Sequence, residues 1–135
     1  MLSDTGIIVA TLSADDAYHH KANELIENLV PPFITTLPCL TEALYLLGER
    51  GGSYAQEKLH EQIREGMYSV PPFTLRHVLR ACELMQKYAD APMDFADASL
   101  VVLAEELGIT KILTIDGHFY AYRINGTTPF QVMSV

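Results

Sequence analysis

The segment APMDFADASLVVLAEELGITKILTIDGHF, residues 91–119, decides how this chain folds. Its first half, DFADASLVVLAEELG, predicts a buried helix that ends at Gly108, where a helix commonly stops on a left-handed residue. KILTI, residues 111–115, is short, β-branched and apolar, and predicts a buried strand. The most apolar elements of the chain are nevertheless rimmed by carboxylates, with Asp94 and Asp97 at the head of the helix and Asp116 at the tail of the strand.

The same grammar runs outward in both directions. DDAYHHKANELIENL predicts a helix capped by Asp15 or Asp16, with Ala17, Ala22, Leu25, Ile26 and Leu29 near one face. FITTL predicts a strand, and PCLTEALYLLGERGG a helix over residues 38–50 stopped by Gly51 and Gly52. SYAQEKLHEQIREG predicts a separate polar helix and YSV a short strand. TLRHVLRACELMQKYAD predicts a helix with Leu75, Val78, Leu79, Cys82 and Met85 inward, and PFQVMSV a last strand. Strands alternating with helices imply an α/β fold with a mostly parallel sheet covered on both faces. With 135 residues and no linker, repeat or low-complexity tract, residues 1–135 read as one domain.

Composition narrows the function. Apolar residues make up 49% of the chain and charged residues 19%, as in a folded domain, and no apolar run is long enough to span a bilayer. The N-terminal stretch lacks the basic start of a secretory signal, and two cysteines without metal spacing fit reduced core residues in a cytoplasmic protein. The net charge of −8 is the wrong sign for a nucleic-acid binder, whose affinity comes largely from phosphate contacts.

In parallel sheets, ligands sit outside the carboxyl ends of the strands, where the next helices begin. Asp4 ends the first strand, MLS. Glu42 lies in the first turns of the helix after FITTL, Asp94 and Asp97 head theirs, and Asp116 follows KILTI. Four segments therefore bring five acids to one rim. Gathered carboxylates repel unless a hard cation lies among them, and oxygen donors suit Mg²⁺ or Mn²⁺ rather than Zn²⁺. The chemistry that follows is phosphodiester hydrolysis. Each acid also has a local reading: Asp94 with Asp97 as a capping box, Asp116-Gly117 and Asp4-Thr5-Gly6 as turns, and Glu42 as a first-turn acid.

SDTGIIVA, TEALYLL, DFADASLVVLAEELG and ILTIDGHFYAYR resemble, in order and spacing, the acidic motifs of PIN-domain ribonucleases, most closely the VapC-like toxins. The resemblance implies a PIN-like three-layer sandwich. It implies that Asp4, Glu42, Asp97 and Asp116 bind metal, that Thr114 matches the Ser/Thr before the last acid, and that Thr5 matches the small polar residue after the first. Asp94 matches an acid found in part of the family. The implied activity is a Mg²⁺- or Mn²⁺-dependent endoribonuclease, acting on RNA and restrained by an antitoxin, often within dimers. Gly117-His118 departs from the basic residue many relatives carry there. The open alternatives are a non-catalytic PIN-fold binding module and a metal-dependent DNA nuclease or phosphoesterase.

The five acids account for five of the eight net negative charges, which leaves −3 elsewhere. Arg76, Arg80 and Lys87, near one helix face, are candidates to line an RNA path. Tyr45, Tyr120 and Tyr122 are expected to pack rather than stack on bases, and His118 to be a turn residue beside Asp116.

Overall fold

The computed structural model describes residues 1–135. Strand β1 (Leu2–Ser3) leads into helix α1 (Thr5–Leu12), α2 (His19–Glu27), β2 (Phe33–Ile34) and α3 (Leu37–Arg64). β3 (Tyr68–Ser69), α4 (Leu75–Lys87), α5 (Phe95–Leu107) and β4 (Lys111–Leu113) follow. A 3₁₀ turn (Gly117–Tyr120), a hairpin of β5 (Arg123–Ile124) and β6 (Thr128–Pro129), and β7 (Gln131–Met133) complete the chain.

The main sheet has the order β3-β2-β1-β4-β7, and all its pairs are parallel. β1 is central: Leu2 aligns with Ile34 on one side and Ile112 on the other. Side chains alternate between faces. Leu2 and Ile112 join α4, α5, Phe119 and Tyr122 in one apolar layer. Phe33 and Leu113 join α1, α2 and α3 in the other. This is the expected sandwich of a parallel sheet between helical layers.

Several elements depart from the sequence reading. Helix α1 has no polar face to give it away: Thr5, Ile7, Ile8, Val9, Ala10 and Thr11 are all buried. α2 begins at His19, not at Asp15 or Asp16, and leaves Ala17 outside and exposed; Asp16 instead holds the turn by accepting from the Tyr18 amide at 2.9 Å. The two helices expected on either side of Gly51-Gly52 run on as α3 with a sharp break at Gly52. Its φ of +63° is one that an L side chain adopts only with strain.

α4 is turned about its axis relative to expectation. It buries His77, Ala81 and Leu84 against the molecule, while Leu75 and Leu79 are 72% and 58% exposed and Cys82 is exposed as well. The inward positions go to a small residue that lets α5 approach and to a histidine with structural bonds. His77 Nδ1 accepts from the Thr74 amide (2.8 Å), and its Nε2–H therefore donates to Glu106 Oε2 on α5 (2.8 Å). Cys39 is buried, as expected.

Candidate metal centre

The carboxyl edge of the sheet carries the site, because β1 and β4 end there and α1, α3 and α5 begin beside it. Asp4 follows β1 and caps α1, accepting from the Thr5 amide at 2.7 Å. β4 brings Thr114 alongside, whose Oγ1 donates to Asp4 Oδ2 (2.9 Å) and accepts from the Asp116 amide (2.8 Å). One hydroxyl thus ties the acids of two neighbouring strands together. Asp94 caps α5 by accepting from the Asp97 amide (2.8 Å), and the Asp97 side chain reaches back to the Asp94 amide (3.4 Å). The capping-box reading of this pair is therefore correct as structure, and it also fixes where both carboxylates point. Glu42 lies on α3, two turns in from the Thr36 cap.

Asp4, Glu42, Asp94, Asp97 and Asp116 all line one cleft of about 260 Å³, with Thr5, Gly6 and Ile115. Thr114 lies fully buried beneath it. No lysine or arginine forms an ion pair with any of the five acids; the one charged contact in the cluster is His118 Nδ1 to Asp116 Oδ2, 3.0 Å. Electrostatics follow from that arrangement. Burial raises Asp4 to about 6 against the bonds from Thr114 and Thr5, with Asp116 and Glu42 adding repulsion. Burial and then Asp94 and Asp4 raise Asp97 to about 8. Burial and Asp94 raise Glu42 as well.

The donor set fits a hard divalent cation. It is all carboxylate oxygen apart from one imidazole, it is drawn from separate elements, and no lysine or arginine offsets its charge.

The sequence reading places Tyr122 in the packing and His118 in the turn beside Asp116, and the structure gives each a closer relation to the acids. Tyr122 is fully buried, donates to the Pro92 carbonyl at 2.6 Å and sits 3.3 Å from Asp97 Oδ2, which fixes the back of that carboxylate. Its burial agrees with the packing expected of it, whereas Tyr45 and Tyr120 are 64% and 63% exposed. His118 lies closer to the acids than a bystander in the turn: a ring nitrogen and carboxylate oxygens of Asp97 and Asp116 all lie within 4.8 Å of one another.

The sequence model of the PIN domain matches residues 1–125. The chain belongs to the PIN-domain family. Among known relatives, this PIN-domain chain is 28% identical to Ribonuclease VapC26 of Mycobacterium tuberculosis, over 98% of its own length and 99% of that protein. Its fold matches the crystal structure of Mycobacterium tuberculosis VapC20, a toxin that cleaves the sarcin-ricin loop, with a TM-score of 0.80 and 26% identity. That match covers 89% of this PIN-domain chain and 92% of VapC20.

The basic residues are largely committed elsewhere. Arg80 is forked onto Glu105 (2.9 and 3.0 Å) and reaches Glu83, Arg76 pairs with Glu106 (2.8 Å), and Arg50 with Asp16 (2.9 Å). Lys87 lies over the Tyr88 ring. The α4 arginines thus join α4 to α5, and Arg50 joins α3 to the turn that precedes α2.

Proposed function

We propose that this chain is a Mg²⁺- or Mn²⁺-dependent endoribonuclease that acts as the toxin of a toxin–antitoxin pair in the cytoplasm. The observation that carries the reading is the cleft itself: five carboxylates from four segments of a PIN-domain chain, with no lysine or arginine paired to them. Similarity to a VapC ribonuclease and to an RNA-cleaving VapC toxin supports RNA as substrate. No helix is long and apolar enough to cross a membrane.

Asp4, Glu42, Asp97 and Asp116 would hold the cation. When bound, it supplies a water nucleophile at neutral pH and neutralises charge that builds on the scissile phosphate. Thr114 orients Asp4, and Asp94 orients Asp97 through the Asp97 amide. Both therefore act by placing a ligand, which fixes the donors before substrate arrives.

Two surfaces support partners. A broad apolar groove of about 670 Å³, lined by Leu37, Tyr45, Phe73 and Phe95, adjoins the cleft and shares Glu42 and Asp94 with it. It fits an antitoxin segment that covers the acids. The exposed Leu75-Leu79-Cys82 stripe of α4 supports a homodimer.

The test is RNA cleavage and Mn²⁺ calorimetry on wild type, Asp4→Asn and Asp97→Asn. Wild type is expected to bind and cleave, and each variant to lose at least about 100-fold in cleavage, since even outer partners of metal ligands are worth 10–100-fold. Cation binding without RNA cleavage, but with cleavage of DNA or a phosphoester, would replace the substrate. Partner binding with neither cation binding nor cleavage would favour a non-catalytic module.

A further inference from the structure

We infer that His118 is a nitrogen donor to the cation of the acid cleft and biases that site toward Mn²⁺ over Mg²⁺. The inference rests on the reading of the cleft as a cation site and adds a ligand to the acids that the motifs supply.

Geometry comes first. Ring nitrogen and carboxylate oxygens of His118, Asp97 and Asp116 fall within 4.8 Å of one another, and His118 Nδ1 is 3.0 Å from Asp116 Oδ2. An octahedral ion with donors at about 2.1 Å has neighbouring donors about 3.0 Å apart and opposite donors about 4.2 Å apart. The three groups are therefore spaced as one coordination sphere requires, with only a small contraction.

Backbone placement is firm while the ring is free to adjust. The His118 amide donates to Asp116 Oδ1 (2.8 Å), which locks residues 116–118 into one turn. The next residue, Phe119, is fully buried among Tyr122 and Phe130 and anchors that turn to the core. The imidazole itself is 54% exposed and makes no other hydrogen bond. Turning it costs no core packing.

The donor chemistry then sets the preference. Mg²⁺ is bound almost wholly by oxygen, whereas imidazole suits transition metals, so one nitrogen among carboxylates favours Mn²⁺. The competing arrangement is a plain hydrogen bond from Nδ1–H to Asp116 Oδ2, for which 3.0 Å is also suitable. In that case His118 only positions Asp116, and both cations should depend on it equally.

Pulsed EPR of the Mn²⁺-loaded full chain separates the two. Wild type is expected to show ¹⁴N coupling from a directly bound imidazole, converted to the ¹⁵N pattern by ¹⁵N-histidine and absent in His118→Gln. Calorimetry on the same samples should show the Mn²⁺ dissociation constant rising about tenfold in His118→Gln, the lower end of ligand-sphere effects. The Mg²⁺ constant should move less than about twofold, given its preference for oxygen. Mn²⁺ bound without nitrogen coupling, or equal weakening of both cations, overturns the inference and leaves the acid site standing. No cation bound by wild type overturns both.

Discussion

Asp4 and Asp97 are acids that their surroundings push toward the neutral form, and this has a measurable cost. From an ordinary value of 3.8, burial raises Asp4 to about 6, and burial with the neighbouring Asp94 raises Asp97 to about 8. Between those limits the native state holds more protons than the unfolded state. The stability these groups contribute is therefore complete below pH 4 and is lost as pH rises through 6 and then 8. Burial pushes Glu105 up, but the bonds from Arg80 and the Asn125 amide outweigh it and hold the group below the ordinary glutamate value, so its contribution is already in place at higher pH and does not offset the loss. Thermal melts in EDTA should show Tm falling from pH 5 to pH 8.5, each kcal/mol appearing as roughly 3–6 °C. Asp97→Asn should flatten the upper part of that slope, and excess Mn²⁺ should remove most of it; a Tm that climbs over the interval contradicts the account. Thr114 offers a second check at this scale. Thr114→Val deletes one bond to Asp4 and another from the Asp116 amide, and should cost about 1–3 kcal/mol in urea unfolding. Cleavage should fall with it, because the two acids lose their common tether.

Among the elements, α4 depends on a residue that looks incidental in sequence. His77 closes the amino end of the helix and ties it to Glu106 of α5 in a single ring. His77→Ala should lower stability by about 1–3 kcal/mol through the lost cap and the unpaired groups it leaves, with the urea midpoint as readout. Why the sequence misplaced this helix follows from the same residue. Leu75, Leu79 and Cys82 form the apolar stripe that periodicity finds, whereas the true inner face is built from Ala81, Leu84 and a polar His77. Periodicity reports which face is apolar, not what covers it. α1 was illegible for the opposite reason, being buried on nearly every side and rich in β-branched residues. The β5–β6 hairpin does have a local signal, the Asn125-Gly126 pair, which takes two positive φ values at its turn. α5 was legible because it has a carboxylate cap at one end and left-handed Gly108 at the other. The acids were legible as a group because strand ends and helix starts share one edge in a parallel sheet; Tyr122 was not, because nothing in a linear pattern says which aromatic backs which carboxylate.

For the whole molecule, the uncovered stripe of α4 matters most. Leu79→Glu is expected to leave secondary structure and Mn²⁺ binding intact, as the side chain is 58% exposed. It should weaken self-association at least about tenfold in sedimentation equilibrium, the loss expected for a charge placed in an apolar interface. A wild-type chain that stays monomeric at high concentration would remove the dimer from the picture. The position of β1 has a further consequence. β1 lies at the centre of the sheet, between β2 and β4, and the cleft needs residues from Asp4 to Asp116. During synthesis β1 therefore waits for its partner β4, roughly 110 residues later, at a pace of about 5–20 residues per second. The acids cannot gather until the chain through Asp116 has left the ribosome. A nascent chain that has not yet reached β4 therefore carries no assembled acid cleft.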